Sequence, residues 1–572
     1  MQHHAISRFA MLLVLPAVFL LSACTGNPAD DDGLAPAPEP AEESVGKTVA
    51  QADSDDAASP RQPHLHRAEV LRMRSLPEST VATIMPHNAD ALAGLRAPDR
   101  PIDRENYAAF EDNPIRRVAE HPVSTFSIDV DTGSYSNVRR MLREGRLPPE
   151  DAVRVEEMIN YFSYAYPAPN STEAPFSVHV EQAATPWNPR TRLVQVGIQG
   201  YRPDPKSIPA ANLVFLVDVS GSMSAPDKLP LLKNALKMLV RQLDSDDRIA
   251  MVAYAGATGV VLDSTPGDQN ATIIAALDRL SAGGRTNGAA GIELAYAQAA
   301  QGFIEGGINR VILATDGDFN VGTVDFDALK DLAERKRRTG IAITTLGFGT
   351  GNYNDHLMEQ LADAGNGNYA YIDTLGEARK LLVDELTATL MTIAGDVKIQ
   401  LEFNPSVVAE YRLIGYENRM LRREDFNNDS VDAGDIGAGH TVTALYEVAL
   451  VGSGGERVEP LRYAGEPRTV GEAEGARELG FLRLRYKAPG EQRSRLIERP
   501  IDNRVGELVG SRLPFAAAVA AFGQHLRGGE YLEGYALDEV HALAASSKGD
   551  DPFGYRGEFL QLVRLAEGLA GS

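Results

Sequence analysis

Asp218, Ser220 and Ser222 set one carboxylate and two hydroxyls close together in the run Asp218-Val219-Ser220-Gly221-Ser222-Met223. Oxygens of this kind suit a hard divalent cation. Mg²⁺ takes oxygen ligands in near-octahedral geometry and keeps several waters, so hydroxyls and a few carboxylates can hold it. Three residues do not close that shell, and two later segments offer the rest. One is Gly283-Gly284-Arg285-Thr286-Asn287-Gly288, ahead of an Ala-rich helix; the other is Thr315-Asp316-Gly317, directly after the apolar run Val311-Ile312-Leu313-Ala314. Asp318 competes with Asp316 for the second role, but Asp316 adjoins the strand. The D-x-S-x-S run taken alone also reads as a turn in which Asp and Ser cap the following helix.

The elements that must position these loops are legible in the pattern around them. Leu213 to Val217 is a continuous apolar strand, and Leu232, Leu236, Leu239 and Leu243 form one stripe of the next helix. Between about residues 212 and 394 such units repeat. Strands are expected at 248–254, 260–264, 341–348 and 368–372, and helices at 271–280, 326–338, 355–364 and 376–391. Alternation of this kind predicts an α/β fold with a doubly wound, mostly parallel sheet. In such sheets ligands bind outside the carboxyl ends of the strands, where the Asp218 loop falls, and the two later loops each fall at an expected strand end or strand-to-helix connection.

With those positions filled in that order, the stretch resembles a von Willebrand factor type A (VWA) domain. Asp218, Ser220, Ser222, Thr286 and Asp316 resemble its five-residue metal-ion-dependent adhesion site. The resemblance implies that Ser220 and Ser222 ligate the ion directly, and Thr286 directly or through water. It also implies that Asp218 and Asp316 act mostly through water and as acceptors for the hydroxyls. The implied ion is Mg²⁺, with Ca²⁺ or Mn²⁺ as alternatives. An open coordination position then favours an acidic side chain from a protein partner.

The chain of 572 residues exceeds one ordinary domain, and about 150 residues per domain suggests three or four units. Its start reads as a secretory signal: Arg8 with His3 and His4, an apolar run from Phe9 to Leu21, then small residues. The single cysteine, Cys24, ends the run Leu21-Ser22-Ala23-Cys24, which resembles a bacterial lipobox. That resemblance implies cleavage before Cys24, a lipid on its sulfur and a place in the bacterial cell envelope, and Thr25 at the next position leans towards the outer membrane. The apolar run is shorter than the roughly 18 residues that span a bilayer. The membrane is therefore expected to be reached through the lipid on Cys24 alone. The formal charge of −23 includes Arg8, so removing residues 1–23 leaves −24. Such an excess disfavours nucleic acid as a partner.

The division expected from these features is a signal peptide (1–23), a tether (24–113), an N-terminal region (114–205), the VWA domain (206–394) and a C-terminal domain (395–572). Thr25 to about His66 is rich in Ala, Pro, Asp and Glu and is read as disordered. In the N-terminal region Val123 to Val130 reads as a strand, Tyr135 to Leu142 as a helix, and Val155, Met158, Ile159 and Phe162 as one face of another. Ser124-Thr125-Phe126-Ser127-Ile128-Asp129-Val130-Asp131-Thr132 and Glu156-Glu157-Met158-Ile159-Asn160-Tyr161-Phe162 resemble the N-terminal region of a family of bacterial VWA lipoproteins. After Ala394 the pattern turns to alternating strands such as Leu482-Arg483-Leu484-Arg485-Tyr486-Lys487, then to a helical tail with the stripe Phe515, Val519, Phe522 and Leu526.

Three other features of the sequence carry weaker signals. Asp129 to Ser134 faintly echoes the metal loop and is read as an Asx turn capping a helix. Asp425 to Asp432 has calcium-like acidic spacing, but Ser430 and Ile436 stand where an EF-hand needs Gly and Glu, so the segment is read as a solvated turn, with a non-EF calcium loop as the alternative. No G-x-S-x-G elbow or H-E-x-x-H motif occurs, and His440 and His541 are isolated. The expectation is a lipid-anchored, non-catalytic protein that binds a partner through the ion. The alternatives are a structural or assembly role in which the ion only stabilises the loops, and, ranked last, a hydrolase with an unrecognised site, which activity lost with Ser220 or His440 would support.

Overall fold

The computed structural model describes residues 105–569 and 570–571, apart from 170–173, 285–287, 318–325, 463–476, 506–509 and 511. Its strands in chain order are β1 (Arg116–Arg117), β2 (Val123–Ser127), β3 (Phe176–Ala184), β4 (Arg192–Gly200), β5 (Ala211–Asp218), β6 (Arg248–Tyr254), β7 (Thr258–Pro266) and β8 (Ile308–Thr315). They continue with β9 (Ala342–Phe348), β10 (Tyr369–Ile372), β11 (Thr392–Phe403), β12 (Val408–Ile414), β13 (Ile436–Gly437), β14 (Thr441–Leu450), β15 (Glu478–Lys487) and β16 (Arg495–Asp502).

Six of them form the expected α/β sheet, in the order β10-β9-β8-β5-β6-β7. All neighbours run parallel except β7, which closes one edge antiparallel to β6. Every residue of β5 is buried. Alternation explains this: Leu213, Phe215 and Val217 meet Leu232, Leu236 and Leu239 on one face, while Val214 and Leu216 join Ile292, Tyr296 and Leu361 on the other. A sheet covered on both faces needs continuous apolar strands, which is why these were readable.

The flanks are not two separate units. One antiparallel sheet runs β1-β12-β14-β4-β3, and a second runs β13-β11-β15-β16 with β2 beside β11. Each contains strands from before and after the α/β domain. Phe126 of β2 lies opposite Ile399 of β11, and Val196 of β4 opposite Ala444 of β14. Their facing sides share one core that includes Phe126, Val194, Ile198, Leu401, Tyr446 and Leu482. Helices from both flanks likewise share a core: Tyr135, Met158 and Phe162 pack with Phe515, Phe522 and Phe559. The α/β domain is thus inserted into a scaffold assembled from its two sides. The β3–β4 hairpin by itself would be marginal in water, and pairing with β14 extends it into a sheet with a covered face.

Three local expectations change. The helix expected at 376–391 breaks into Leu375–Arg379, a π-helical turn at Lys380–Asp384, and Leu386–Leu390. Lys380 lies over the Tyr161 ring at 4.4 Å while its ammonium donates to Glu385 at 2.8 Å, an arrangement set by tertiary contacts. Asp129 does form an Asx turn, accepting from the Asp131 backbone N–H at 2.9 Å, but Thr132 makes no cap bond with its side chain. Glu157 takes that role, accepting from the Ser134 N–H at 2.7 Å. In the Asp425–Asp432 segment, Asp429 accepts from the Ser494 hydroxyl at 2.6 Å and Asp432 pairs with Arg337 at 2.5 Å. Those carboxylates serve as cross-links.

Candidate functional site

Parallel pairing of β5 with β8 sets Val217 opposite Ala314, so Asp218 and Thr315 emerge together from adjacent strand ends. The chain leaves β5 for β6 on one side and returns to β8 on the other. That makes the gap between them the switch point at which open α/β sheets bind ligands.

Asp218 is fully buried and oriented by three donors. Its Oδ1 accepts from the Ser220 backbone N–H at 2.8 Å, and its Oδ2 accepts from the hydroxyls of Thr315 at 2.8 Å and Tyr254 at 3.3 Å. Burial, with Asp316 nearby, pushes the Asp218 carboxyl up to about 6 despite those donors, so it is ionised at neutral pH. Ser220 leads into a 3₁₀ turn at Gly221–Ser224 without donating or accepting a side-chain cap bond. Its hydroxyl instead faces that of Ser222 at 2.9 Å. Ser220 therefore does not cap this turn with its side chain, and its hydroxyl is paired with that of Ser222.

The second loop is sewn to the first by its backbone. Gly283 N–H donates to Val219 O at 2.8 Å, and Gly221 N–H donates to Gly284 O at 3.1 Å. Thr286, two residues further on, lies outside the described residues, as do Asp318 and Cys24.

Asp316 is fully buried one residue beyond β8. Its Oδ2 accepts from the Lys228 ammonium at 2.9 Å and from the Asn352 side-chain amide at 3.3 Å, while Lys228 also donates to Asn352 Oδ1 at 2.9 Å. Lys228, Asn352, Tyr254 and Thr315 were not singled out from the sequence for these roles. Lys228 is the residue before the helix Leu229–Val240, and Asn352 lies in a loop 36 residues from Asp316. An N-terminal strap fastens that loop. Asn106 N–H donates to Tyr353 O at 2.9 Å, and Glu105 accepts from Gly351 N–H at 2.9 Å while pairing with Arg140 at 2.8 Å.

Among the described residues no group of three or more His, Cys, Asp or Glu side chains could hold a metal ion. A cation at this point would rest on hydroxyls and two carboxylates, a hard-oxygen set that fits Mg²⁺ or Mn²⁺ better than a softer ion. The locus already accepts positive charge, since the Lys228 ammonium sits on Asp316. The Ser220 hydroxyl is engaged with Ser222, and His440 lines a separate cavity of about 470 Å³ beside Lys380 and Glu385, where burial holds its imidazole down at about 4. No helix among the described residues is long and apolar enough to cross a membrane.

Comparison with known proteins agrees with this architecture. The model for the von Willebrand factor type A domain matches residues 212–385, a von Willebrand factor model matches residues 101–195, and one described as "Uncharacterized protein YfbK, C-terminal" matches residues 388–569. The uncharacterized protein YfbK of Escherichia coli K12 is 48% identical over 469 residues, covering 81% of each chain. The uncharacterized protein sll0103 of Synechocystis is 31% identical over 167 residues, which is 29% of this chain and 39% of that one. Among solved structures, a von Willebrand factor type A protein from Catenulispora acidiphila is 18% identical, covering 68% of this chain and 89% of its own, with a TM-score of 0.36. The ArnB paralog VWA2 from Sulfolobus acidocaldarius is 13% identical, covering 69% and 98%, with a TM-score of 0.33.

Proposed function

The chain belongs to the family of YfbK, whose members carry a von Willebrand factor type A domain, and from that premise we propose that its α/β domain grips a protein partner through a divalent ion. Asp218, Ser220, Ser222, Thr286 and Asp316 would hold the ion, Mg²⁺ first among Mg²⁺, Ca²⁺ and Mn²⁺, and an acidic side chain of the partner would complete its coordination. The lipid on Cys24 would keep this grip in the cell envelope. No reaction is catalysed in this reading.

The observation that carries it is the pair of serine hydroxyls 2.9 Å apart, two and four residues beyond the buried Asp218 carboxylate, with the Ser220 hydroxyl not used as a helix cap. The bound ion would supply a positive centre for a carboxylate. This chain's residues supply the rest: Thr315 and Tyr254 hold Asp218 in one orientation, and backbone bonds bring Gly283 and Gly284 alongside Val219 and Gly221.

The test is capture of partners from envelope extract by the wild-type protein and by Asp218→Ala or Ser220→Ala, with Mg²⁺ and with excess chelator. Capture that needs Mg²⁺ and disappears in both variants, with folding unchanged, is the expected result. Equal capture by all three proteins in chelator would sink the proposal.

A further inference from the structure

Lys228 is the residue at this site that nothing in the motif asks for. Its side chain is 7% exposed, and its ammonium is fixed between Asp316 Oδ2 and Asn352 Oδ1, both at 2.9 Å. A buried ammonium is costly unless paired and hydrogen-bonded, and here both conditions are met. The arrangement also serves Asp316, a fully buried carboxylate that would otherwise carry its charge beside that of Asp218.

We propose that Lys228 is a built-in counter-ion that sets the affinity and ligand preference of the site: it keeps the ion-free site stable, weakens divalent-ion binding, and leaves the loaded site needing an acidic ligand. The inference rests on the metal-dependent reading above. Without an ion, two carboxylates and one ammonium leave a single formal negative charge. Removing the ammonium exposes both carboxylates to each other, so an arriving divalent ion relieves more repulsion and meets less of its own. Both effects act in the same direction. With Lys228 present, the two aspartates, the ammonium and the ion together carry one net positive charge, which a partner's carboxylate neutralises; without the ammonium, the two aspartates already balance the ion. Asn352 keeps the ammonium on Asp316 by accepting from it while donating to the same carboxylate oxygen.

The experiment is titration of the purified protein with Mn²⁺, read by the loss of the free-ion paramagnetic resonance signal, with Mg²⁺ as competitor. Wild type is compared with Lys228→Met, Lys228→Gln, Lys228→Arg and Asp218→Ala. Lys228→Gln retains a donor for Asp316 and guards against a folding defect, and thermal melts with and without Mn²⁺ give an independent readout. Lys228→Met and Lys228→Gln should each bind Mn²⁺ at least tenfold tighter than wild type and gain more thermal stability from it, while Lys228→Arg stays near wild type. If Mn²⁺ binding is lost in Asp218→Ala but unchanged or weaker in Lys228→Met and Lys228→Gln, the role of Lys228 is overturned and the metal site stands. If the Arg variant gains as much as the Met variant, charge is not the cause and the role is again overturned. If no protein of the set binds Mn²⁺, the metal reading falls and this inference with it.

Discussion

Arg154→Met should be among the most damaging single substitutions outside the candidate site. Arg154 precedes the helix Val155–Asn160 of the N-terminal flank, and its side chain is 2% exposed. Its guanidinium pairs with Glu157 of its own helix and with Asp355 at 2.5 Å, and reaches Glu359 at 3.9 Å; the last two lie on the helix Asp355–Ala364 of the α/β domain. Arg419, from the other flank, still covers Glu359 at 3.1 Å, but in the variant Glu157 and Asp355 lose their buried cation. Stripping one partner from a buried pair costs about 3–5 kcal/mol, because the remaining charge is neither solvated nor matched. Units of 150–250 residues shift by about 2–4 °C per kcal/mol and this larger one by less, so a fall in melting temperature of a few degrees is expected by calorimetry. Adding Asp355→Asn removes one orphaned charge while keeping an acceptor for the Tyr369 hydroxyl, and should recover part of the loss. A single variant within about 1 kcal/mol of wild type would refute the claim that this pair clamps the flank to the α/β domain.

Two further substitutions test other parts of the frame. Gly317 has φ of +82°, and a Cβ there would come within 2.4 Å of the Asn354 backbone nitrogen, so Gly317→Ala should destabilise by about 2 kcal/mol or more and weaken Mn²⁺ binding. Gly351→Ala, with φ of +90° but no atom within 4 Å, should cost only the conformational part; equal losses in both would argue against the contact. Burial, with Asp396 and Asp432 close by, pushes Asp435 up to about 7. A carboxyl raised in the folded state favours folding most below its ordinary range near pH 4, and that contribution is lost as pH rises through about 7. Wild type should therefore melt lower at pH 8 than at pH 6, and Asp435→Asn should flatten that slope; parallel profiles would contradict it.

What the sequence disclosed and what it concealed divide along physical lines. The strand Arg248–Tyr254 and the helix Asp355–Ala364 were readable to the residue because a sheet buried on both faces and an amphipathic helix each leave a local periodicity. Pairing between β2 and β11 leaves none: Thr125 and Gln400 hydrogen-bond at 3.1 Å across 275 residues, and neither strand announces its partner. Expecting separate flanking domains followed from that silence. The same holds at the site. Asp218, Ser220, Ser222 and Asp316 could be named from residue type and position in the pattern, whereas Lys228 and Asn352 acquire their roles when two loops meet.

Those meetings bear on how the site could work. Asn352, which shares Lys228 and Asp316, belongs to a loop held at both ends by the flanks. Before it, Gly351 is tied to Glu105, which is anchored in turn to Arg140. After it, Tyr353 accepts from Asn106, and the helix beginning at Asp355 is clamped through Arg154 and Arg419. A shift of Asn352 relative to Lys228 would therefore strain ion pairs and backbone bonds on both sides. Close-packed, charge-paired interfaces change between discrete arrangements more readily than they deform by degrees. The scaffold built from the two flanks is thus part of the frame that fixes the loop carrying Asn352, and substitutions within it should alter ion binding even where they touch none of the five candidate ligands.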